Sequence, residues 1–206
     1  MSRPEDEAAG PGRRAGTTHR WLADARRVDQ AVYTAVARTP TPALDRSMSR
    51  LSRAADRSGL WLATAGVLAV VGGRSGRRAA AEGLVCVAVS SAVVNLGVKR
   101  LGGRARPDRE GAQVPLDRHV TMPTSLSFPS GHSASAFAFA TGAGTRLPVV
   151  TVPLHGLAGV VAYSRVHTGV HFPGDVLVGS LLGTVIAQLT TRLTGRAAGR
   201  YAASRG

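Results

Sequence analysis

Three short stretches of this 206-residue chain carry residue types that can do chemistry together. The first is Lys99, followed seven residues on by Arg106-Pro107 at the end of an apolar run. Lys99 is the only lysine beside twenty-five arginines, so its presence calls for a reason. Seven residues make about two helical turns, so a helix continued through this stretch puts both cations on one face until Pro107 ends it. A positive flank on a membrane helix accounts for the same residues. The second stretch is Pro129-Ser130-Gly131-His132. Ser130 suits an N-cap, Gly131 then opens the helix, and the amides of that turn have no preceding turn to accept from them. Such a helix start binds anions, the glycine lets an oxyanion approach the backbone, and His132 stands beside it able to give or take a proton. The same residues also make an ordinary turn and cap with a polar neighbour.

The third stretch runs from Ser164-Arg165 through His171 to Asp175. Pro173 fits the first turn of a helix, which places Asp175 in that turn and His171 just before it. A carboxylate at that position reaches an imidazole N–H, fixes the tautomer and leaves the other ring nitrogen free to attack. A structural histidine in a loop would use the same pair. His119, His155, His167 and Arg104 have no required role and read as structural or loop residues. His155 lies inside an apolar run, where an ionisable group faces another helix rather than lipid.

These stretches need elements to position them. Residues 59–73, 79–98, 147–163 and 173–193 are apolar runs of 15, 20, 17 and 21 residues, the second interrupted by Glu82. A bilayer span takes about 20 apolar residues. Two runs meet that length, and the others are short or rich in the small residues that suit close helix contacts. A further helix is expected over 133–145. Upstream, Leu22, Ala25, Val28, Val32, Ala35 and Val36 recur at helical spacing, Thr39-Pro40-Thr41-Pro42 breaks the chain, and residues 43–57 form a second amphipathic, arginine-rich piece. The expected organisation is therefore an all-α integral membrane bundle of five to six core helices with amphipathic helices before it. In residue ranges, 1–18 is a flexible basic tail, 19–57 the amphipathic region, 58–193 the membrane-embedded domain and 194–206 a basic tail. The first segment lacks the apolar core of a signal peptide.

Lys and Arg outnumber Asp and Glu by 26 to 12, for a net charge of +14. That charge suits an anionic partner, but aromatics are only 4% and none interleave the arginine clusters, which argues against nucleic acid. The lone Cys86 excludes an internal disulfide and a cysteine-based metal site.

Taken together, Lys99 to Arg106-Pro107, Pro129-Ser130-Gly131-His132, and Ser164-Arg165 to His171 to Asp175 resemble the full signature of the type 2 phosphatidic acid phosphatase superfamily, which holds lipid phosphate phosphatases and vanadium-dependent haloperoxidases. The resemblance covers residues 59 to 193. With the stretch Leu51 to Ala63, it extends to the phosphatase portion of bacterial proteins that also carry a lipid-kinase-like domain, for which no residues remain here. The resemblance implies hydrolysis of a phosphomonoester or diphosphate through a phosphohistidine, with no metal and no cofactor. Lys99, Arg106 and Arg165 would hold the phosphate oxygens, with the Ser130 hydroxyl and the Gly131 amide completing the cradle. His171 would attack phosphorus, His132 would protonate the leaving oxygen and then activate water, and Asp175 would orient His171. The implied partners are a membrane bilayer and a lipid phosphate. Phosphatidic acid, phosphatidylglycerol phosphate and polyprenyl phosphates or diphosphates all present the same group. A haloperoxidase shares the anion cradle, and a non-catalytic binder of lipid phosphate would share it too. If the three motifs lie on one membrane face, Arg74, Arg77, Arg78, Arg146 and the C-terminal arginines lie on the other, and the positive-inside rule makes that face cytoplasmic. The site of this multi-pass membrane protein then faces outward, although the arginines of residues 20–57 pull the other way.

Overall fold

The computed structural model describes residues 12–99 and 103–204. Among the described residues it contains seven α-helices and no strand. They are α1 (Gly12–Arg38), α2 (Pro42–Ala54), α3 (Gly59–Val71), α4 (Gly73–Val98, its last turns π-helical from Val93), α5 (Gly131–Arg146), α6 (Thr151–His167) and α7 (Pro173–Ala203). Helix α5 packs against α4, α6 and α7, and α3 packs on α4. Five helices thus form the bundle, and the protein is the all-α membrane bundle expected.

The lipid-facing surface is written at helical spacing. Along α7, Leu177, Leu181, Val185, Leu189 and Leu193 recur every fourth residue and are all more than half exposed. A soluble bundle would bury such a stripe; a bilayer takes it as solvent. Among the described residues, three helices are long and apolar enough to cross a membrane: Gly73–Val98, Pro148–His167 and Pro173–Ala197. The second of these, at residues 148–167, adds to the two runs that met the length in sequence. Helix α3 is short by itself, but with α2 it makes a pair of sufficient length bent by 67°.

Inside, α5 is built of small residues because its neighbours come very close. Ala134, Ala136, Ala138, Ala140 and Ala143 are buried, and Trp61 tilts against Phe139 with ring centroids 5.3 Å apart. On α7, a Cβ at Gly183 would run into the backbone of Ala134. Gly183→Leu is therefore expected to push α7 off α5 at a cost of about 1–3 kcal/mol. A clear fall in the thermal midpoint of the detergent-solubilised protein checks this; an unchanged midpoint would mean that the two helices are not packed so closely.

Boundaries differ from the sequence reading in three places. Helix α1 begins at Gly12, inside the expected tail, whose residues 1–11 lie outside the described residues. Helix α7 continues to Ala203, through most of the expected C-terminal tail. The expected helix joining Lys99 to Arg106 is absent: Lys99 closes α4, and residues 103–108 are non-helical. Two consecutive glycines at 102–103 weaken a helix, and Pro107 disfavours helical backbone at Arg106.

A buried polar cluster ties α1 and α2 to the bundle. Arg118, fully buried, donates to Asp45 (2.8 Å), to the carbonyls of Val36 (2.9 Å) and Thr39 (2.7 Å) and to Thr41 Oγ1 (2.9 Å). His167 Nε2 donates to the same Asp45 oxygen at 3.0 Å. His167 is thus structural, as expected. His155 donates to Thr151 O and accepts from Thr141 Oγ1 on α5, so it does face another helix.

Candidate active site

All three motifs meet at one end of the bundle, where α4 and α6 end and α5 and α7 begin. A cavity of about 300 Å³ opens there, lined in part by Lys99, Arg106, Gly131, His132 and His171.

The start of α5 is the expected one. Ser130 is the N-cap, its hydroxyl accepting from Ser133 N at 3.4 Å and from Ser133 Oγ at 3.0 Å, while Gly131 opens the helix. A Cβ at Gly131 would lie 3.4 Å from Asn95 Oδ1 and 3.8 Å from Lys99 Nζ, so a side chain there would intrude on the cavity beside the lysine. Ser130 itself is fully buried and occupied in capping, behind the residues that line the cavity.

Lys99 and Arg106 reach each other through Ser125 rather than along a helix. Lys99 Nζ donates to Ser125 Oγ at 3.1 Å, and Arg106 Nη2 to the same oxygen at 3.2 Å. Arg106 is fixed further by Nε to Ser125 O and Nη1 to Val170 O, both at 2.8 Å. Arg165, also fully buried, donates from Nη1 to Ser52 Oγ (2.6 Å) and Ser52 O (3.1 Å), with Asp56 at 3.5 Å. Its Nε and Nη2 have no hydrogen-bond partner among the described residues. Burial, then the nearby Arg106 and Arg165, hold the Lys99 ammonium below its usual range. Lys99 and Arg106 line the cavity, and Arg165, close enough to act on both Lys99 and His171 but not part of that lining, adds two unpaired buried N–H groups, the complement of an oxyanion.

His171 is buried where the end of the 165–171 segment meets this cradle. Arg106 Nη1 lies 3.2 Å from its Nε2. A guanidinium only donates, so Nε2 must be the unprotonated nitrogen, and the proton sits on Nδ1. Nδ1 faces Ser127 Oγ at 3.3 Å and Asp175 Oδ2 at 3.6 Å. Ser127 in turn donates to Asp175 Oδ2 at 2.5 Å. The expected histidine–aspartate pair is therefore present, but with Ser127 wedged beside it, a residue the sequence reading passed over. Asp175 closes the start of α7 by accepting from Phe172 N at 3.0 Å, and its own carbonyl accepts from Ser130 N at 2.9 Å, which locks the second and third motifs together. Burial is the largest influence on the imidazole and pushes it down to about 4, with Asp175 opposing and Arg106 and Arg165 assisting. At neutral pH the ring is uncharged, and its Nε2 lone pair accepts from Arg106.

His132 lines the cavity, and its Nε2 donates to Asp56 Oδ1 at 2.9 Å. Asp56 and Ser52 belong to the Leu51–Ala63 stretch, so that segment supplies a carboxylate to one histidine and a backbone anchor to Arg165. Arg57 and Ser58, both at positive φ (52° and 61°), turn the chain there and line the cavity with Ser91, Asn95 and Ser135. Arg104, expected to be a structural or loop residue, contacts Asp175 Oδ1 at 3.1 Å. His119 stays in the loop, bonded to Val114 O.

This geometry agrees with what the chain resembles. The family model described as the PAP2 superfamily matches residues 80–198. The five-helix bundle is shared with solved membrane PAP2 phosphatases, and the chain belongs to the PAP2 superfamily. It is 40% identical over 123 residues to decaprenylphosphoryl-5-phosphoribose phosphatase of Mycobacterium tuberculosis H37Rv, a match that covers 56% of this chain and 63% of that relative. The protein of the same name from Mycolicibacterium smegmatis is 34% identical over 166 residues, covering 77% of this chain and 84% of the relative. Among solved structures, the transmembrane PAP2 type phosphatidylglycerolphosphate phosphatase of Bacillus subtilis superposes with a TM-score of 0.63 at 25% identity, covering 84% of this chain and 87% of that one.

Proposed function

We propose that this protein is a membrane phosphatase that removes the phosphoryl group from a lipid-borne phosphate by way of a phosphohistidine on His171. The observation that carries the reading is the His171 Nε2 lone pair held at 3.2 Å from Arg106, inside a cradle whose other cations are Lys99 and Arg165. In the first step Nε2 attacks phosphorus, the bond from phosphorus to the ester oxygen breaks, and His132 gives that oxygen a proton. In the second, His132 takes a proton from water, the hydroxide attacks phosphorus, and the phosphorus–nitrogen bond breaks to restore His171. Asp175 stabilises the charge on His171 while the intermediate lasts. Lys99, Arg106, Arg165 and the Gly131 amide hold the oxygens in both steps. Ser130 supports the cradle chiefly as the cap that aims this amide.

The polar residues that line the cavity beside the cradle favour a phosphate carried on a hydroxyl-bearing headgroup, such as a lipid-linked sugar phosphate, over one attached directly to an apolar chain. The names of the mycobacterial relatives point the same way. The protein crosses the bilayer several times with its site outward, because Arg74, Arg77, Arg78, Arg146 and Arg192 all fall at the end away from the site.

Phosphate release from a panel in detergent tests this: a polyprenyl-linked phosphosugar, phosphatidylglycerol phosphate, phosphatidic acid and a polyprenyl phosphate. The phosphosugar and the phosphatidylglycerol phosphate are expected to be fastest; equal or faster release from the polyprenyl phosphate would sink the headgroup assignment. Release is expected to persist in excess EDTA, since no three His, Cys, Asp or Glu side chains stand together to hold a metal among the described residues. It should stop with vanadate, whose trigonal bipyramid on His171 imitates the transition state. Loss on chelation with recovery on adding a divalent ion would rule the mechanism out.

A further inference from the structure

Helix α1 lies outside the matched family region, yet one of its side chains reaches the first turn of α7. Asp29 Oδ1 accepts from Gly174 N at 2.7 Å, and Asp29 Oδ2 pairs with Arg104 Nη1 at 2.6 Å. The same Arg104 nitrogen donates to Asp175 Oδ1 at 3.1 Å. The guanidinium lies 3.8 Å over the ring of Phe172, which is itself packed edge-on against Tyr33 of α1. Asp175 is fully buried, and Arg104 is the one side chain that donates to its Oδ1 among the described residues. Neither Arg104 nor Asp29 lines the cavity.

We infer that Arg104 and Asp29 are positioning residues for the nucleophile, and that α1 is therefore part of the catalytic assembly rather than a peripheral attachment. The inference rests on His171 being the nucleophile. Asp175 orients His171 through Oδ2; Arg104 holds Oδ1, so the carboxylate cannot rotate about its own bond. Asp29 in turn holds Arg104 and the backbone of Gly174. The four residues form a chain from α1 to the attacking nitrogen: Asp29, Arg104, Asp175, His171.

The charge on Arg104 also matters. His171 is faced by Arg106 from the loop, Arg165 from α6 and Asp175 from α7, with Lys99 of α4, His132 of α5 and Asp56 across the cavity. Arg104 offsets part of the negative field of Asp175 at the ring. Remove that cation and the full carboxylate charge favours imidazolium, so protonation of the nucleophile sets in at a higher pH.

The test uses the full chain in detergent, with p-nitrophenyl phosphate as substrate, and compares kcat against pH for wild type, Arg104→Met, Arg104→Gln, Arg104→Lys and Asp29→Asn. Comparison with wild type cancels the ionisation of the substrate. In Arg104→Met and Arg104→Gln, kcat is expected to fall about 10²-fold, as for a misplaced reacting group. Their acid limb is expected to rise by roughly one pH unit. Arg104→Lys keeps the charge, so its limb stays at the wild-type position. Asp29→Asn lowers kcat without raising the limb. Competitive inhibition by inorganic phosphate should be unchanged throughout, because neither residue touches the cradle. Wild-type kcat in the Arg104 variants, or a loss that is equal at every pH and weakens phosphate inhibition in step, would overturn the inference. If Arg104→Met fails to fold, the Gln and Lys pair decides it, since they differ in charge: limbs at the same pH overturn it. A wild-type protein that hydrolyses nothing would instead condemn the phosphatase reading, and this inference with it.

Discussion

His171→Ala abolishes turnover of every phosphate ester, and with it the base-stable, acid-labile phosphoprotein expected of a phosphohistidine. Among the described residues that line the cavity, the other imidazole, His132, is held by Asp56, and the Lys99 ammonium donates to Ser125. Loss of a nucleophile within an intact site costs about 10⁶-fold. His132→Ala removes a proton donor and leaves the nucleophile alone. Its effect therefore depends on the leaving group, since general acid assistance is worth about 10² to 10⁴-fold and shrinks as the leaving group becomes a stable anion. A lipid alkoxide should suffer the full loss and p-nitrophenolate little of it in the phosphorylation step. With p-nitrophenyl phosphate, the variant is expected to form phosphoenzyme quickly and then hydrolyse it slowly, because the same histidine activates water. Rapid-quench trapping on both esters checks this. Phosphoenzyme in His171→Ala together with its absence in His132→Ala would reverse the two roles.

The second large effect belongs to Arg165. Its guanidinium is fully buried, yet Nε and Nη2 find no partner among the described residues, so the folded protein holds two donors ready for an oxyanion. Arg165→Met is expected to lower kcat/KM by about 10³-fold, the usual consequence of deleting a cation that stabilises a transferring phosphoryl group. Its stability should behave differently. A buried charge with incomplete pairing contributes little to the unliganded fold, and an apolar isostere is often neutral or better there. The variant is thus expected to melt close to wild type without ligand, while vanadate raises the midpoint of wild type and not of the variant. Equal stabilisation of both by vanadate would show that Arg165 does not hold the anion.

The pH dependence follows from His171. Its ordinary value of 6.5 falls to about 4 in the fold, so the neutral, attacking form persists through mildly acidic pH and is lost only as pH drops through about 4. An unfolded chain takes up that proton near 6.5, so stability tied to this ring is complete above 6.5 and declines as pH falls toward 4.

What the sequence determined by itself is the part governed by short-range rules. Ser130 caps α5 and Gly131 opens it because a cap, a glycine and the free amides of a first turn are chemistry within four residues. Pro173 begins α7, and Asp175 falls beside His171, because one helical turn sets their separation. The apolar run over 173–193 was legible as a helix for the same reason, and its five exposed residues from Leu177 to Leu193 recur at every fourth position. Arg106 was legible as a residue type and misread as a position, since the chain leaves the helix at Lys99 and brings the guanidinium back through Ser125.

Only the tertiary structure decided the supporting contacts. Asp56 meets His132 from 76 residues away, Arg104 meets Asp175 across 71, and Asp29 meets Gly174 across 145. Each looks like an ordinary charge on a solvated turn or helix face when read in its own neighbourhood. What makes them partners is the close approach of α1, the 52–58 turn and α7 around the small-residue helix α5, and that approach is set by which glycines and alanines face one another. Helical periodicity gives the faces of single helices; the depth to which two faces interlock depends on both at once, and it is this depth that brings the second set of side chains within hydrogen-bond reach of the first.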